Sequence, residues 1–226
     1  MANSFYDATG TLQLTKVTPV IKALFGKFAL DDFGVGKAYI ARISEETCVT
    51  WDDIAQDLER LAVRLKLIDK AAIEMDDEVF THVLKVLSAY FGCTDRFNFE
   101  DDLPYDLQEE AEFEPIFELA MRFYDGHGLT TLTVEGARHF SRPLPEAFGG
   151  QGLFLGRHFK MSSFSKTCRT LGTDVDRYLN QSRTAAAGSA ITNHVTRLLE
   201  GITDTAAQKT VMAIVAEQLA TLARRK

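Results

Sequence analysis

The spacing of apolar positions predicts several amphipathic helices in the first half of the chain. In residues 50–67, apolar side chains recur at helical intervals with charged side chains between them. Thr50, with Asp53 three positions later, resembles a capping box that starts this helix. Thr18 followed by Pro19 is typical of an N-cap with proline in the first turn. The same periodicity predicts two further helices, over residues 77–91 and from Pro115 onwards.

Alternation with a period of two residues, which is typical of strands, occurs in three places. Residues 37–44 alternate in this way and predict a strand. Residues 129–142 predict a β-hairpin with Glu135 and Gly136 in its turn, because glycine favours tight turns. Residues 153–159 predict a third strand.

Helical periodicity returns from Thr173 to the C-terminus. The small residues at 185–190 predict a break, after which Ser189 is expected to cap a helix. Because helices and strands are grouped rather than alternating, we expect an α+β fold, with helices around a small antiparallel sheet and a C-terminal helical pair. The predicted division is an α+β core domain over residues 1–187 and a C-terminal helical hairpin over residues 188–226, packed on the core.

The charge distribution is strongly uneven. The formal net charge of −7 is the result of +2 over residues 1–44, −15 over residues 45–125 and +6 over residues 126–226. Such a division is typical of a protein that binds charged partners, associates with itself or neutralises opposite charges within its own fold. The sequence alone leaves these three alternatives open.

The acidic charge is densest in "FNFEDDLPYDLQEEAEFEP", residues 97–115, which holds eight carboxylates and no lysine or arginine. Apolar residues are interleaved with the acids, which favours a solvated connection pinned to the body of the protein. The alternative is an acidic surface for a basic partner or, in the extreme case, a mimic of DNA. The partner-binding candidates are Glu100, Asp101, Asp102, Asp106, Glu109 and Glu110.

Residues 138–183 are the basic counterpart, with eight lysines and arginines against three acids. Phenylalanines lie between the cations, and this combination can hold single-stranded nucleic acid by phosphate contacts and base stacking. The competing interpretations are that the phenylalanines belong to the core and that the cations neutralise the acidic segment. The candidate phosphate contacts are Arg157, Lys160, Lys166 and Arg169.

The sequence gives few indications of catalysis. It contains no HExxH, CxxC or GxSxG pattern, and the glycines of "FGGQGLFLG" miss the dinucleotide-binding spacing by one residue. We therefore expect no cofactor and no metal. The enzymatic alternative is a small hydrolase or metal-dependent enzyme that uses His127, His139 and His158, because His139 and His158 are expected on adjacent strands.

The three cysteines are far apart and odd in number, which argues against a disulfide framework and favours a reducing compartment. The first residues lack the basic and apolar regions of a secretory signal, and no apolar run has the length of a membrane span. We therefore expect a cytoplasmic protein without a membrane partner.

Three N-terminal stretches, "NSFYDATGTLQL", "VTPVIKALFGKFAL" and "AYIARI", resemble uncharacterised accessory proteins of bacterial plasmids and integrative elements. The resemblance covers mainly the first 60 residues and includes no catalytic motif. It implies a mobile-element accessory role, without an activity, a ligand or a site to carry over.

These observations predict a non-enzymatic accessory protein that binds another macromolecule through charged surfaces. The expected partner is a protein or a second copy of the chain. Direct nucleic-acid binding through residues 138–183 and the histidine-based enzyme are the alternatives.

Overall fold

The structure is a computed structural model that describes residues 4–43, 48–69, 76–99, 106–140 and 148–224. Within these ranges, six strands form one antiparallel sheet and seven α-helices surround it, so the predicted α+β class is confirmed. In chain order the elements are β1 Ser4–Gln13, α1 Pro19–Phe25, β2 Asp31–Asp32, β3 Lys37–Arg42, α2 Trp51–Arg64, α3 Asp77–Tyr90, α4 Phe113–Arg122, β4 Thr131–Phe140, β5 Phe148–Gly156, β6 Lys160–Phe164, α5 Ser165–Asn180, α6 Thr184–Glu200 and α7 Thr205–Arg224.

The sheet has the strand order β2-β3-β1-β4-β5-β6, with antiparallel pairing throughout. Because side chains alternate along a strand, the register places Leu12, Ile40 and Val134 on one face, where all three are buried. Buried side chains of α1 to α4 belong to the same hydrophobic core as these strand residues. The core therefore occupies this face of the sheet, mainly under the N-terminal half of the chain.

The predicted helix starts at Thr18 and Thr50 are confirmed. The Thr18 hydroxyl accepts the N–H of Ile21 at 3.4 Å, and α1 begins at Pro19. Thr50 Oγ1 accepts the N–H of Asp53 at 3.3 Å, and the Asp53 carboxylate accepts the N–H of Thr50 at 3.1 Å, which completes the capping box. Burial acts to raise the pKa of Asp53, but the hydrogen bonds from Thr50 to its carboxylate, together with the charge and hydrogen bond of Lys27, prevail and lower it.

The predicted hairpin with its turn at Glu135 and Gly136 is wrong, because β4 is one continuous strand through both residues. Gly136 lies opposite Ala8 of β1, and a Cβ atom at Gly136 would lie 2.6 Å from the hydroxyl of Tyr6. The glycine therefore makes room for the Tyr6 ring instead of forming a turn. The strand predicted over residues 153–159 corresponds to β5, which begins at Phe148, five residues before the predicted start.

The C-terminal helices also differ from the prediction. Helix α5 begins at Ser165 rather than Thr173, and α6 continues through residues 185–190. Alanine is the strongest helix former, which outweighs the cost of one glycine in that stretch. The chain reverses before α6 instead, at Ser182 with φ 57°, so the predicted Ser189 cap is wrong. The predicted division after residue 187 falls inside α6, and the two-part organisation stays a prediction.

The starts of α3 and α4 compare differently with the prediction. Helix α3 begins at Asp77, as predicted, and Asp76 caps it by accepting the N–H of Val79 at 2.8 Å. Helix α4 begins at Phe113, which places Pro115 within its first turn, where a missing N–H is tolerated.

Candidate nucleic-acid interface

Part of the acidic segment is bound to cations from distant parts of the chain. Glu110 forms an ion pair with Arg42 of β3, and Glu112 lies 3.9 Å from the same guanidinium. The Arg42 side chain is only 5% exposed, so the two carboxylates compensate a charge that the fold buries. Glu110 therefore has a structural partner, which weakens its candidacy as a contact for a separate protein.

A second internal cluster neutralises one of the predicted phosphate contacts. Lys160, the first residue of β6, pairs with Glu118 and lies 3.1 Å from Glu114, both on α4. Partial burial disfavours the charged amine, but the hydrogen bonds that the amine donates to Glu118 and Glu114, together with their negative charges, prevail and raise the pKa of Lys160. Lys160 thus holds the edge of the sheet to α4 and has its charge compensated.

The remaining acidic candidates differ in how far the structure describes them. Asp106 and Glu109 are exposed, and Asp106 accepts the N–H of Gln108 at 2.8 Å. The backbone oxygen of Glu109 accepts the N–H of Trp51 at 3.1 Å. Buried apolar residues that flank the acids support a pinned connection: Phe97, Leu107 and Phe113. Three of the candidates lie outside the described residues: Glu100, Asp101 and Asp102.

The three histidines of the enzymatic alternative do not come together. His139 on β4 is paired with Phe148, whereas His158 follows the other end of β5. The nine residues from Phe148 to Gly156 span about 26 Å of strand, so the expectation that His139 and His158 approach each other is wrong. In the described parts of the chain, no group of three histidine, cysteine, aspartate or glutamate side chains is arranged to hold a metal ion.

His127 and His139 have local partners of their own. The buried His127 ring nitrogens lie within 3.1 Å of the carbonyl oxygens of Ala120 and Phe123 and 2.7 Å from the N–H of Leu129. His139 stacks on Phe5 at 5.2 Å between ring centroids and lies 4.0 Å from Asp7. Local packing and hydrogen bonding account for these two histidines.

A cavity of about 420 Å³ opens at the far end of the sheet, beyond the hydrophobic core. The ends of β4, β5 and β6 form one wall, and the first turns of α5 form the other. Among the described residues, its lining contains three cations and three phenylalanines but no carboxylate. The lining residues that matter here are Arg138, Phe140, Phe148, Phe164, Lys166 and Arg169.

Two further cavities continue from this one between the sheet, α5 and α6. The second, of about 680 Å³, shares Phe164 and Lys166 with the first. The third, of about 390 Å³, shares His194 and Arg197 with the second. Consecutive cavities have lining residues in common, and we call the three cavities together the basic groove.

Three of the cations that line the basic groove have no carboxylate partner among the described residues. Arg138, Lys166 and Arg197 are exposed, and in the described ranges no carboxylate lies within 4.0 Å of their charged nitrogens. The two carboxylates in its lining are engaged locally, Asp174 with Arg177 at 2.6 Å and Glu114 with Lys160. The described lining of the groove therefore carries more positive than negative charge, although the whole chain is acidic.

The sequence located the groove in part. Lys166 and Arg169 line it as predicted candidates, while Lys160 reaches only the third cavity and is neutralised there. Arg157 is exposed in the turn after β5, about 26 Å of strand away from Gly149. Arg197 was missed because it lies beyond residue 183, on a helix whose position over α5 is set by tertiary packing.

Comparison with known proteins gives no match, whether against family models, curated sequences or solved structures. The resemblance of the N-terminal stretches to mobile-element proteins therefore stays a prediction. In the described ranges, none of the helices combines the length and the apolar character that crossing a bilayer would require.

Proposed function

We propose that the protein binds nucleic acid and holds its phosphate backbone along the basic groove. The observation that supports this most directly is the set of cations Arg138, Lys166 and Arg197, which line neighbouring cavities and have no carboxylate partner among the described residues. A binding role of this kind is non-enzymatic, as the sequence favoured. It assigns the macromolecular contact to the basic rather than the acidic charge of the chain.

The ion pairs of the acidic segment are the reason for this preference. Glu110 and Glu112 surround Arg42, and Glu114 and Glu118 surround Lys160, so both clusters serve the packing of the sheet against its neighbours. Of the acidic candidates that the structure describes, Asp106 and Glu109 have no ion-pair partner within the described ranges, and two charges do not make the regular series of closely spaced charges that a DNA mimic needs. Among the described residues, Arg138, Lys166 and Arg197 have no comparable internal partners.

The net charge of −7 does not oppose local binding of a polyanion. At physiological ionic strength charges beyond about 8 Å are largely screened, so a phosphate in the groove senses mainly the nearby cations. Acidic surfaces elsewhere weaken non-specific attraction and leave the groove as the preferred contact. Cytoplasmic location and the mobile-element association are part of the proposal on the sequence evidence alone.

The test is fluorescence anisotropy with a labelled 20-nucleotide single strand over a series of salt concentrations. In the groove variant Arg138→Gln, Lys166→Gln and Arg197→Gln are combined. Its matched control combines Arg64→Gln, Arg157→Gln and Lys209→Gln, which removes three exposed cations outside the groove. Because each phosphate contact on a single strand contributes about −0.7 to the salt slope, we expect the slope of the groove variant to be flatter by about 2.

The two triple variants have the same net charge, so their comparison isolates the position of the cations. We expect the groove variant to lose at least about tenfold in affinity and the control to stay close to wild type. Equal losses in both variants would assign binding to total charge and contradict the proposal. Absence of salt-sensitive binding by the wild-type protein would also contradict it.

A further inference from the structure

The first cavity of the basic groove has features that phosphate binding alone does not need. Phe148 is 76% exposed and Phe164 is 47% exposed, although both are large apolar side chains at the cavity wall. No other ring of the described residues stacks on either of them. Two uncovered rings beside three cations are typical of proteins that stack unpaired bases.

The strand backbone between these rings is also accessible. Gly149 and Gly150 follow Phe148 directly, and a Cβ atom at Gly150 would meet no atom within 4 Å. The Ser165 hydroxyl accepts the N–H of Gly150 at 3.0 Å, and the Gln151 side chain adds an amide to the lining. Flat apolar surfaces and a small number of neutral polar groups therefore surround the space next to Lys166 and Arg138.

The dimensions favour one unpaired nucleotide over a duplex. A volume of about 420 Å³ lies within the range of about 300–1,000 Å³ that is usual for small-ligand pockets. A paired base is stacked within its helix and presents only an edge, so it cannot lie against a ring at the wall of a cavity. An unpaired base can leave the stack and enter.

We propose that the first cavity takes an unpaired nucleotide of single-stranded nucleic acid, with its phosphate near Lys166 and Arg138. Its base stacks on one of the two exposed rings, Phe164 or Phe148, which the strand register places on opposite faces of the sheet at the cavity wall. This inference rests on the proposed nucleic-acid binding and adds the class of nucleic acid and the means of recognition. The proposed site should bind strands of different base sequence, because every base has a flat face that can stack on an aromatic ring.

The test compares four ligands of equal length: single-stranded DNA, single-stranded RNA, the DNA annealed to its complement, and a DNA strand without bases. The variant combines Phe148→Leu with Phe164→Leu, which keeps apolar volume and removes the aromatic faces. Its matched control combines Phe33→Leu with Tyr39→Leu, since these rings are 58% and 43% exposed at the opposite edge of the sheet. A strand with 2-aminopurine reports stacking directly, by quenching of its fluorescence.

We expect the wild-type protein to bind both single strands at least about tenfold more tightly than the duplex or the base-free strand. Removal of the stacking partner of one base lowers affinity by about 5- to 150-fold. The Phe148/Phe164 variant should therefore bind single strands at least about fivefold more weakly than the wild-type protein, with no change in its affinity for the duplex or the base-free strand. It should also lose the 2-aminopurine quenching. The Phe33/Tyr39 control should retain both properties.

The two proposals fail in different ways. If all four ligands bind equally and only the groove charge variant weakens them, nucleic-acid binding stands and the unpaired-base site is overturned. If the wild-type protein binds none of the four, both proposals are overturned. Displacement of the oligonucleotide by polyglutamate at an equal concentration of charge would indicate that the cavity binds acidic peptides, and it would overturn the proposed nucleotide site. Unequal affinity for DNA and RNA strands, with stacking retained in both, supports the site and identifies the preferred sugar.

Discussion

At the residue scale, His127 is a structural histidine whose ring closes the end of α4. Its Nε2–H donates to the carbonyl oxygens of Ala120 and Phe123 at the C-terminal end of the helix, where the Ala120 carbonyl also accepts the N–H of Phe123 at 3.1 Å. Its Nδ1 accepts the N–H of Leu129, so the partners determine the tautomer. The His127 carbonyl in turn accepts the N–H of Thr15 at 2.7 Å, which joins this turn to the segment before α1.

Replacement of this ring should be costly. We expect His127→Ala to lower the free energy of unfolding by about 2–4 kcal/mol, because it leaves buried carbonyl and N–H groups without partners. His158→Ala is the control, since His158 is exposed and should change stability by less than about 0.5 kcal/mol. Urea denaturation followed by the fluorescence of Trp51 measures both. Equal stability of the two variants would show that the ring hydrogen bonds contribute nothing net.

At the element scale, the continuity of β4 depends on the absence of a side chain at Gly136. The Tyr6 ring from the neighbouring strand fills that space, and Arg42 lies 5.5 Å from the centre of the same ring. Burial is the main reason that the pKa of Tyr6 is raised. The pairing of β1 with β3 and β4 therefore places Arg42, the partner of Glu110 and Glu112, beside Tyr6 in the middle of the sheet.

This arrangement predicts a specific steric effect. We expect Gly136→Ala to destabilise the protein by about 1–3 kcal/mol, because the added methyl group overpacks the site against Tyr6. Gly150→Ala in the next strand is the matched control, since its Cβ atom would meet nothing within 4 Å. In a Tyr6→Ala background the cost of Gly136→Ala should largely disappear, which a double-mutant cycle of unfolding free energies measures. Additive costs would contradict the steric explanation.

The same strand shows which elements the sequence could predict. The caps at Thr18 and Thr50 depend on hydrogen bonds over three residues, so they were predictable from local sequence. The Glu135-Gly136 pair has the local pattern of a turn, but its environment is set by Tyr6, far away along the chain. Long-range pairing overrode a local preference there, as it commonly does in sheets.

At the scale of the whole molecule, the charge asymmetry was visible in the sequence but its arrangement was not. Lys160 and Lys166 are six residues apart and looked equivalent, yet one is bound by two glutamates of α4 and the other faces the groove. Arg197 joins the groove only because α6 packs over α5. Tertiary contacts decide which charged side chains pair with each other within the fold. They therefore also decide which cations stay available at the candidate site.

Helix α7 stands apart from both the core and the groove. It is 20 residues long, about 30 Å at the usual helical rise, and none of its side chains is buried. Within α7 only Gln208 and Val215 are partly buried, and the side-chain amide of Gln208 donates to the carbonyl oxygen of Leu199 at 3.1 Å. No residue of α7 lines the three cavities. The rest of the fold should therefore be independent of this helix.

Removal of residues 205–226 tests that independence. We expect the midpoint of thermal unfolding, followed by Trp51 fluorescence, to change by less than about 4 °C, since less than about 1 kcal/mol of packing is lost. Affinity for single-stranded oligonucleotide should stay within about threefold of wild type at physiological salt, because charges on α7 are screened from the groove. Arg197→Gln in the full-length chain should weaken binding more than the deletion does. A large loss of stability on truncation would contradict this independence and would mean that α7 supports the fold through contacts that bury no side chain. A loss of affinity larger than that caused by Arg197→Gln would mean that the binding surface includes α7.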